Sequence, residues 1–146
     1  MGNFISINYT TDKTKKIIKQ AIDLYNNSAD FSDHGWEFHG DGSFKEVYIK
    51  GDVVIKFGPE EQLVSEYNRW KNFRGSYLRK YLARVYGIID NKMLIQKRVS
   101  GITGDECRCK KARHIAELID FKIDYLVNHG HYKGNPIFFD VDEGWI

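Results

Sequence analysis

The sequence is short of cysteine and proline, and each shortage excludes a class of protein. Only two of the 146 residues are cysteines, and Cys107 and Cys109 stand one residue apart, which is poor spacing for a structural disulfide. A disulfide-stapled secreted scaffold is therefore excluded, and we predict a reducing, cytoplasmic compartment. The chain has two prolines, no low-complexity tract and no internal repeat, so we predict a single domain over residues 1–146.

Net charge and long apolar runs are also scarce. The net charge is only +2, because 22 lysines and arginines are mixed among 20 aspartates and glutamates. This near-balance argues against a nucleic-acid-binding protein that depends on bulk positive charge. No apolar run approaches the roughly 20 residues that cross a bilayer, and the N-terminus lacks the apolar core of a signal peptide. We therefore expect neither a nucleic acid nor a membrane among the partners.

Hydrophobic periodicity predicts a mixture of helices and strands. The predicted elements are a helix over 11–27, a three-strand meander over 36–57, a helix over 59–75 with an apolar stripe of Leu63, Tyr67 and Trp70, a hairpin over 81–99, a helix over 110–128, a loop over 128–135 and a final strand. Turn-forming pairs, Gly51-Asp52 and Asp90-Asn91, join the strands of the two hairpins. This order predicts an α+β fold with an antiparallel sheet.

The stretch with the most chemistry follows residue 39 and reads GDGSFKEVYIKGDVVIKFG. Gly40 and Gly42 allow a backbone to approach a ligand closely and to expose N–H groups to it, and Ser43 belongs to the same candidate loop. The alternative is that these glycines only form a hairpin turn.

The strands after this loop offer an apolar slot with one cation. Strand side chains alternate between the two faces, so Val54 and Lys56 lie on the same face, and Val47 lies in the strand that leaves the loop. The two valines could hold the flat base of a nucleotide. The Lys56 ammonium would then lie beside the phosphates of the same nucleotide.

A buried ammonium needs a compensating charge. We predict that Glu66, on the following helix beside its apolar stripe, pairs with Lys56. Two alternatives stay open: Glu66 is a solvated carboxylate, or Glu60 or Glu61 serves as the partner.

These motifs together resemble the nucleotide-binding lobe of the protein-kinase-like superfamily, which includes protein kinases, aminoglycoside phosphotransferases and small phage and bacterial relatives. GDGSFKEVY resembles the pattern G-x-G-x-x-G-x-V with Lys45 at the third glycine, and VVIK resembles the strand V-A-I-K. EYNRW resembles the helix that supplies the partner glutamate, and VYGIIDNKMLIQKRVSG resembles the hairpin and hinge, where a nucleotide contact is implied at Gln96.

The resemblance covers about residue 36 to the C-terminus. It implies a helix and loop over 1–35, a nucleotide-type N-lobe with an antiparallel sheet over 36–99, and a truncated helical C-lobe over 100–146. It also implies ATP and Mg as cofactors.

The chain departs from the family where catalysis is concentrated. Asn135 matches the metal-ligating asparagine, but the position of the catalytic aspartate falls on Gly130 or His131. A neutral His131 could accept a proton in its place. Asp142, in the triplet Asp-Glu-Gly, is the candidate for the second metal ligand. The favoured interpretation, however, is that this triplet is the turn of a β-hairpin, because residues 137–139 and 145–146 are typical of two strand ends that flank a turn.

Zinc is a poor alternative, because the cysteine pair and the pair His129 and His131 each have one residue between the ligands instead of the usual two or more. Three functions compete. The favoured one is a catalytically impaired, pseudokinase-like ATP-site domain that acts by binding another protein. The alternatives are an active small ATP-dependent protein kinase or small-molecule phosphotransferase, and an interaction domain that binds no nucleotide.

Overall fold

The computed structural model describes residues 4–7, 10–39, 46–76 and 83–98, and the backbone of 129–132 and 135–138. The chain divides into two compact units. The first consists of Met1–Leu63 and Val85–Arg98, and the second of Val64–Arg84 and Val99–Ile146.

A six-stranded antiparallel sheet dominates the first unit, in the strand order β1-β5-β6-β4-β3-β2. Its strands are β1 (Phe4–Ile5), β2 (Glu37–Phe38), β3 (Glu46–Lys50), β4 (Val53–Phe57), β5 (Val85–Ile89) and β6 (Met93–Lys97). The predicted α+β class with an antiparallel sheet is therefore confirmed. The edge strand β1 was not predicted, because two residues are too few to show a period.

Both predicted hairpin turns are present, and left-handed backbone explains them. Gly51, between β3 and β4, has φ +56°, which glycine adopts without steric cost. Asp90 and Asn91, between β5 and β6, have φ values of 54° and 58°. Two successive left-handed residues are typical of the type I′ turn, whose twist matches that of the flanking strands.

Helix α1 (Asp12–Asn26) covers one face of the sheet, which we call the helix-covered face. The helix begins where the sequence predicted, because the Thr11 side chain accepts a hydrogen bond from the Thr14 backbone N–H at 3.2 Å. Its buried residues are Thr14, Ile18, Ala21 and Leu24. Ile18, Ala21 and Leu24 pack, together with Phe31 of the 3-10 helix Phe31–His34, against a core made of Trp36, Val53, Ile55, Tyr86, Ile89, Met93 and Ile95.

Helix α2 (Glu60–Phe73) follows Pro59, as predicted, but its buried stripe is different. Leu63 is buried as expected, whereas Tyr67 and Trp70 are only half-buried. The buried positions after Leu63 are Glu66 and Arg69, at successive spacings of three residues. The apolar stripe was therefore predicted wrongly in part, because apolarity alone does not identify a buried charged side chain.

The second unit contains the hairpin β7 (His129–Tyr132) and β8 (Asn135–Phe138), which pair antiparallel. The predicted loop over 128–135 is wrong at these residues. Only two residues separate the strands, and a hairpin needs no more. The predicted helix over 110–128 lies outside the described residues. No helix in the described part of the chain is long and apolar enough to cross a membrane.

Candidate functional site

Four of the predicted site residues lie together on the sheet face that points away from α1, which we call the opposite face. Val53 and Ile55 of β4 belong to the core under α1, so alternation places Val54 and Lys56 on the opposite face. Directly paired residues share a face, and Val47 pairs with Lys56 while Gln96 pairs with Val54. The patch is therefore Val47, Val54, Lys56 and Gln96, drawn from β3, β4 and β6.

The rest of the opposite face is apolar. Its other members along β3 to β6 are Ile49, Val85, Ile88 and Leu94. Ile88 and Leu94 are buried, whereas Val47 and Val54 are half-buried, so the patch reaches the surface on the β3 side. Lys56 and Gln96 are the polar side chains that the described parts of these four strands place on this face.

Gln96 is the most informative residue of the patch. Only 1% of it is exposed, and its Nε2 has no hydrogen-bond partner within the described part of the chain. A buried donor without an acceptor costs about 1–3 kcal/mol, so natural proteins rarely keep one without a reason. A ligand that offers an acceptor at this point would remove that cost.

Lys56 is buried, with 4% of it exposed, and a buried ammonium needs a compensating anion. Glu66 is fully buried, and the alternative that it is a solvated carboxylate is therefore wrong. Glu60 and Glu61, in the first turn of α2, are exposed. Lys56 and Glu66 belong to different units, and their pairing stays a prediction from the sequence.

The roles of the other predicted site residues stay predictions. Gly40, Gly42, Ser43 and Asp142 lie outside the described residues. His131 lies in β7 and Asn135 begins β8, and their roles stay predictions. Within the described ranges, no group of three or more histidine, cysteine, aspartate or glutamate side chains could hold a metal ion.

Sequence reasoning missed Arg69, which is 8% exposed and lies one helical turn after Glu66 on the buried side of α2. The signal was available, since residues three apart share a helix face and Leu63, Glu66 and Arg69 follow that spacing. Two charged residues on one buried stripe are typical of a polar network with a structural or functional role.

Comparison with known proteins does not assign the chain to a family. No protein-family model matches it, and no curated protein or solved structure matches it either.

Proposed function

We propose that this chain is a kinase-like domain that binds a nucleotide on the opposite face of its sheet and acts chiefly by binding another protein. The observation that carries the proposal is Gln96, a buried amide donor on a face that is apolar apart from Gln96 and Lys56 in the described parts of its strands. Small-molecule sites are mostly apolar and contain a few well-placed polar groups, which is the composition of this patch.

The patch divides the recognition of a nucleotide between its members. Val47 and Val54 provide apolar surface for the flat base. Gln96 Nε2 donates to a ring nitrogen or carbonyl oxygen of the base. Lys56 pairs with Leu94 of β6, which stands two residues before Gln96. Lys56 and Gln96 are therefore diagonal neighbours whose Cβ atoms are up to about 7–8 Å apart. The Lys56 ammonium then faces the phosphates that follow the base.

The weak point of the chain as an enzyme is the proton acceptor. The sequence offers Gly130 or His131 where the kinase-like family has an aspartate, and loss of a general base typically costs about two to four orders of magnitude in rate. Binding is therefore proposed as the function, and phosphoryl transfer as its alternative.

Calorimetry and thermal shift with Mg-ATP test the proposal. A site filled at a hundredfold excess over its dissociation constant stabilises the fold by about 2.7 kcal/mol. We expect Lys56→Met to abolish this response, because it removes the cation of the patch. Lys50→Met is the matched control, since Lys50 lies on the neighbouring strand but hydrogen-bonds Gln20 on the helix-covered face at 2.7 Å.

Two results would overturn the proposal. One is the absence of both heat and thermal shift at millimolar Mg-ATP with the wild-type protein. The other is an equal loss of response in Lys50→Met and Lys56→Met, provided that both variants show the far-ultraviolet circular dichroism of the wild type.

A further inference from the structure

A second candidate site lies on the helix-covered side of the sheet, at the C-terminal end of α1. It is a cavity of about 390 Å³, near the lower end of the range for small-molecule sites. Four aromatic side chains line it: Tyr25, Phe31, Tyr48 and Phe57. All four belong to the first unit, and none of them is a member of the nucleotide patch.

The rings are arranged as a corner, not as a flat stack. The Phe57 ring meets the Phe31 ring at a centroid distance of 5.4 Å and the Tyr48 ring at 6.1 Å, with interplanar angles of 72° and 83°. Tyr25 lies 6.4 Å from Phe57 on a roughly parallel plane. Perpendicular walls of this kind present ring surface to a guest from more than one direction.

The cavity is also negative at its rim. Asp30 and Glu46 line it, and both are exposed. Asp30 is held in place because its Oδ1 accepts a hydrogen bond from the Ser32 backbone N–H at 2.9 Å. The described lining contains no lysine, arginine or histidine, so the charge of the two carboxylates is not compensated within it.

The tyrosines respond to this environment. Burial raises the pKa of the Tyr48 hydroxyl, and the negative charges of Glu46 and Asp30 raise it further. Burial also raises the pKa of Tyr25, whose hydroxyl donates to Asp90 Oδ2 at 3.0 Å. Both hydroxyls therefore remain neutral at physiological pH, and the rings keep the electron-rich faces that attract cations.

We propose that this cavity binds a quaternary ammonium group, with the rings of Tyr25, Phe31, Tyr48 and Phe57 against its methyl groups and the carboxylates of Asp30 and Glu46 facing its charge. Aromatic faces attract cations, and this attraction is strongest when the cation leaves water readily. A trimethylammonium group has no N–H donors to satisfy, so aromatic walls suit it better than a primary ammonium. The same group occurs in free quaternary amines and in trimethylated lysine side chains.

Titration calorimetry and NMR shift mapping with defined probes test this site. The probes are tetramethylammonium chloride, blocked trimethyl-lysine, blocked unmodified lysine, and the neutral isostere of trimethyl-lysine in which a tert-butyl group replaces the trimethylammonium group. We expect trimethyl-lysine to bind at least about tenfold more tightly than its neutral isostere, because the isostere has the same shape without the charge. If tetramethylammonium binds and trimethyl-lysine does not, the natural ligand is a free quaternary amine. If both probes bind, the site also accepts a trimethylated lysine side chain.

Charge-neutralising variants keep the test independent of folding. Glu46→Gln combined with Asp30→Asn removes both rim charges from exposed positions, and asparagine caps a helical turn as well as aspartate does. We expect this double variant to weaken the cation by about three- to tenfold and to leave the neutral isostere unchanged. Glu37→Gln changes another exposed glutamate, on β2 and outside the cavity lining; it is the control and should change neither.

Three outcomes would overturn the proposal. They are equal affinity for the cation and its neutral isostere, no heat and no shifts at Tyr25, Tyr48 or Phe57 with any probe at millimolar concentration, and an equal effect of Glu37→Gln and the rim variants.

Discussion

Replacement of Gln96 by methionine tests the buried amide without any ligand. Methionine has nearly the same length and volume as glutamine and leaves little cavity, so packing changes should cost less than about 1.5 kcal/mol. The substitution also removes the Nε2 donor that has no partner within the described part of the chain. That donor costs the folded protein about 1–3 kcal/mol, and we expect the net free energy of unfolding to rise by about 1 kcal/mol.

Urea denaturation measures this change. For a chain of this size, about 1 kcal/mol corresponds to roughly 3 °C in the melting temperature, and the midpoint in urea should shift without a change in slope. Gln20→Met is the matched control, because Gln20 Oε1 accepts hydrogen bonds from Trp36 Nε1 at 3.1 Å and Lys50 Nζ at 2.7 Å. We expect the control to be destabilised, because it leaves a buried indole N–H without its acceptor.

The same pair of variants separates stability from binding. With Mg-ATP present, Gln96→Met should lose about three- to tenfold in affinity, the value of one hydrogen bond, whereas Gln20→Met should keep the wild-type affinity. If Gln96→Met is destabilised as strongly as Gln20→Met, Gln96 Nε2 is satisfied in solution and the reasoning on the buried amide is refuted. This result would be independent of whether nucleotide binds.

Three further predictions follow from local features. Gly51→Ala should lower the free energy of unfolding by about 1–2 kcal/mol, because the φ of Gly51 is +56° and the added Cβ would lie 2.9 Å from Ile17 Cδ1. Gly75→Ala is the control and should leave the free energy of unfolding unchanged, because a Cβ at Gly75 meets no described atom within 4 Å. Equal losses of stability in urea would contradict this prediction. The free energy of unfolding should fall as pH rises above about 10, because the pKa of Tyr48 is raised in the folded state and the unfolded chain therefore ionises first. Tyr48→Phe should make this dependence on pH less steep, and an unchanged dependence would exclude Tyr48 as its source. Radiolabelled ATP with generic protein substrates, and with the protein alone, should show no transfer above spontaneous hydrolysis, and autophosphorylation that is lost in Lys56→Met would instead support the phosphotransferase alternative.

Local signals in the sequence were sufficient for much of the first unit. The Thr11 cap marked the start of α1, and Gly51-Asp52 and Asp90-Asn91 marked both hairpin turns, because each of these depends on the backbone preferences of a few adjacent residues. Strand alternation also placed Val54 and Lys56 on one face before the sheet was known. The register of the sheet then added Val47 and Gln96 to the same face.

The tertiary structure decided what depends on distant residues. The pairing of β1 with β5 joins segments about eighty residues apart and has no local signature. The spacing of Glu66 and Arg69 from Leu63 was compatible with burial, but charged side chains on a helix are usually exposed, so the fold decided that both are buried. The aromatic cavity combines the end of α1 with Phe31, Tyr48 and Phe57 from elements that are not adjacent in sequence. A hydrophobic period shows which face of one helix or strand is buried. Which elements pack against that face is decided only by the register of the strands and by tertiary packing.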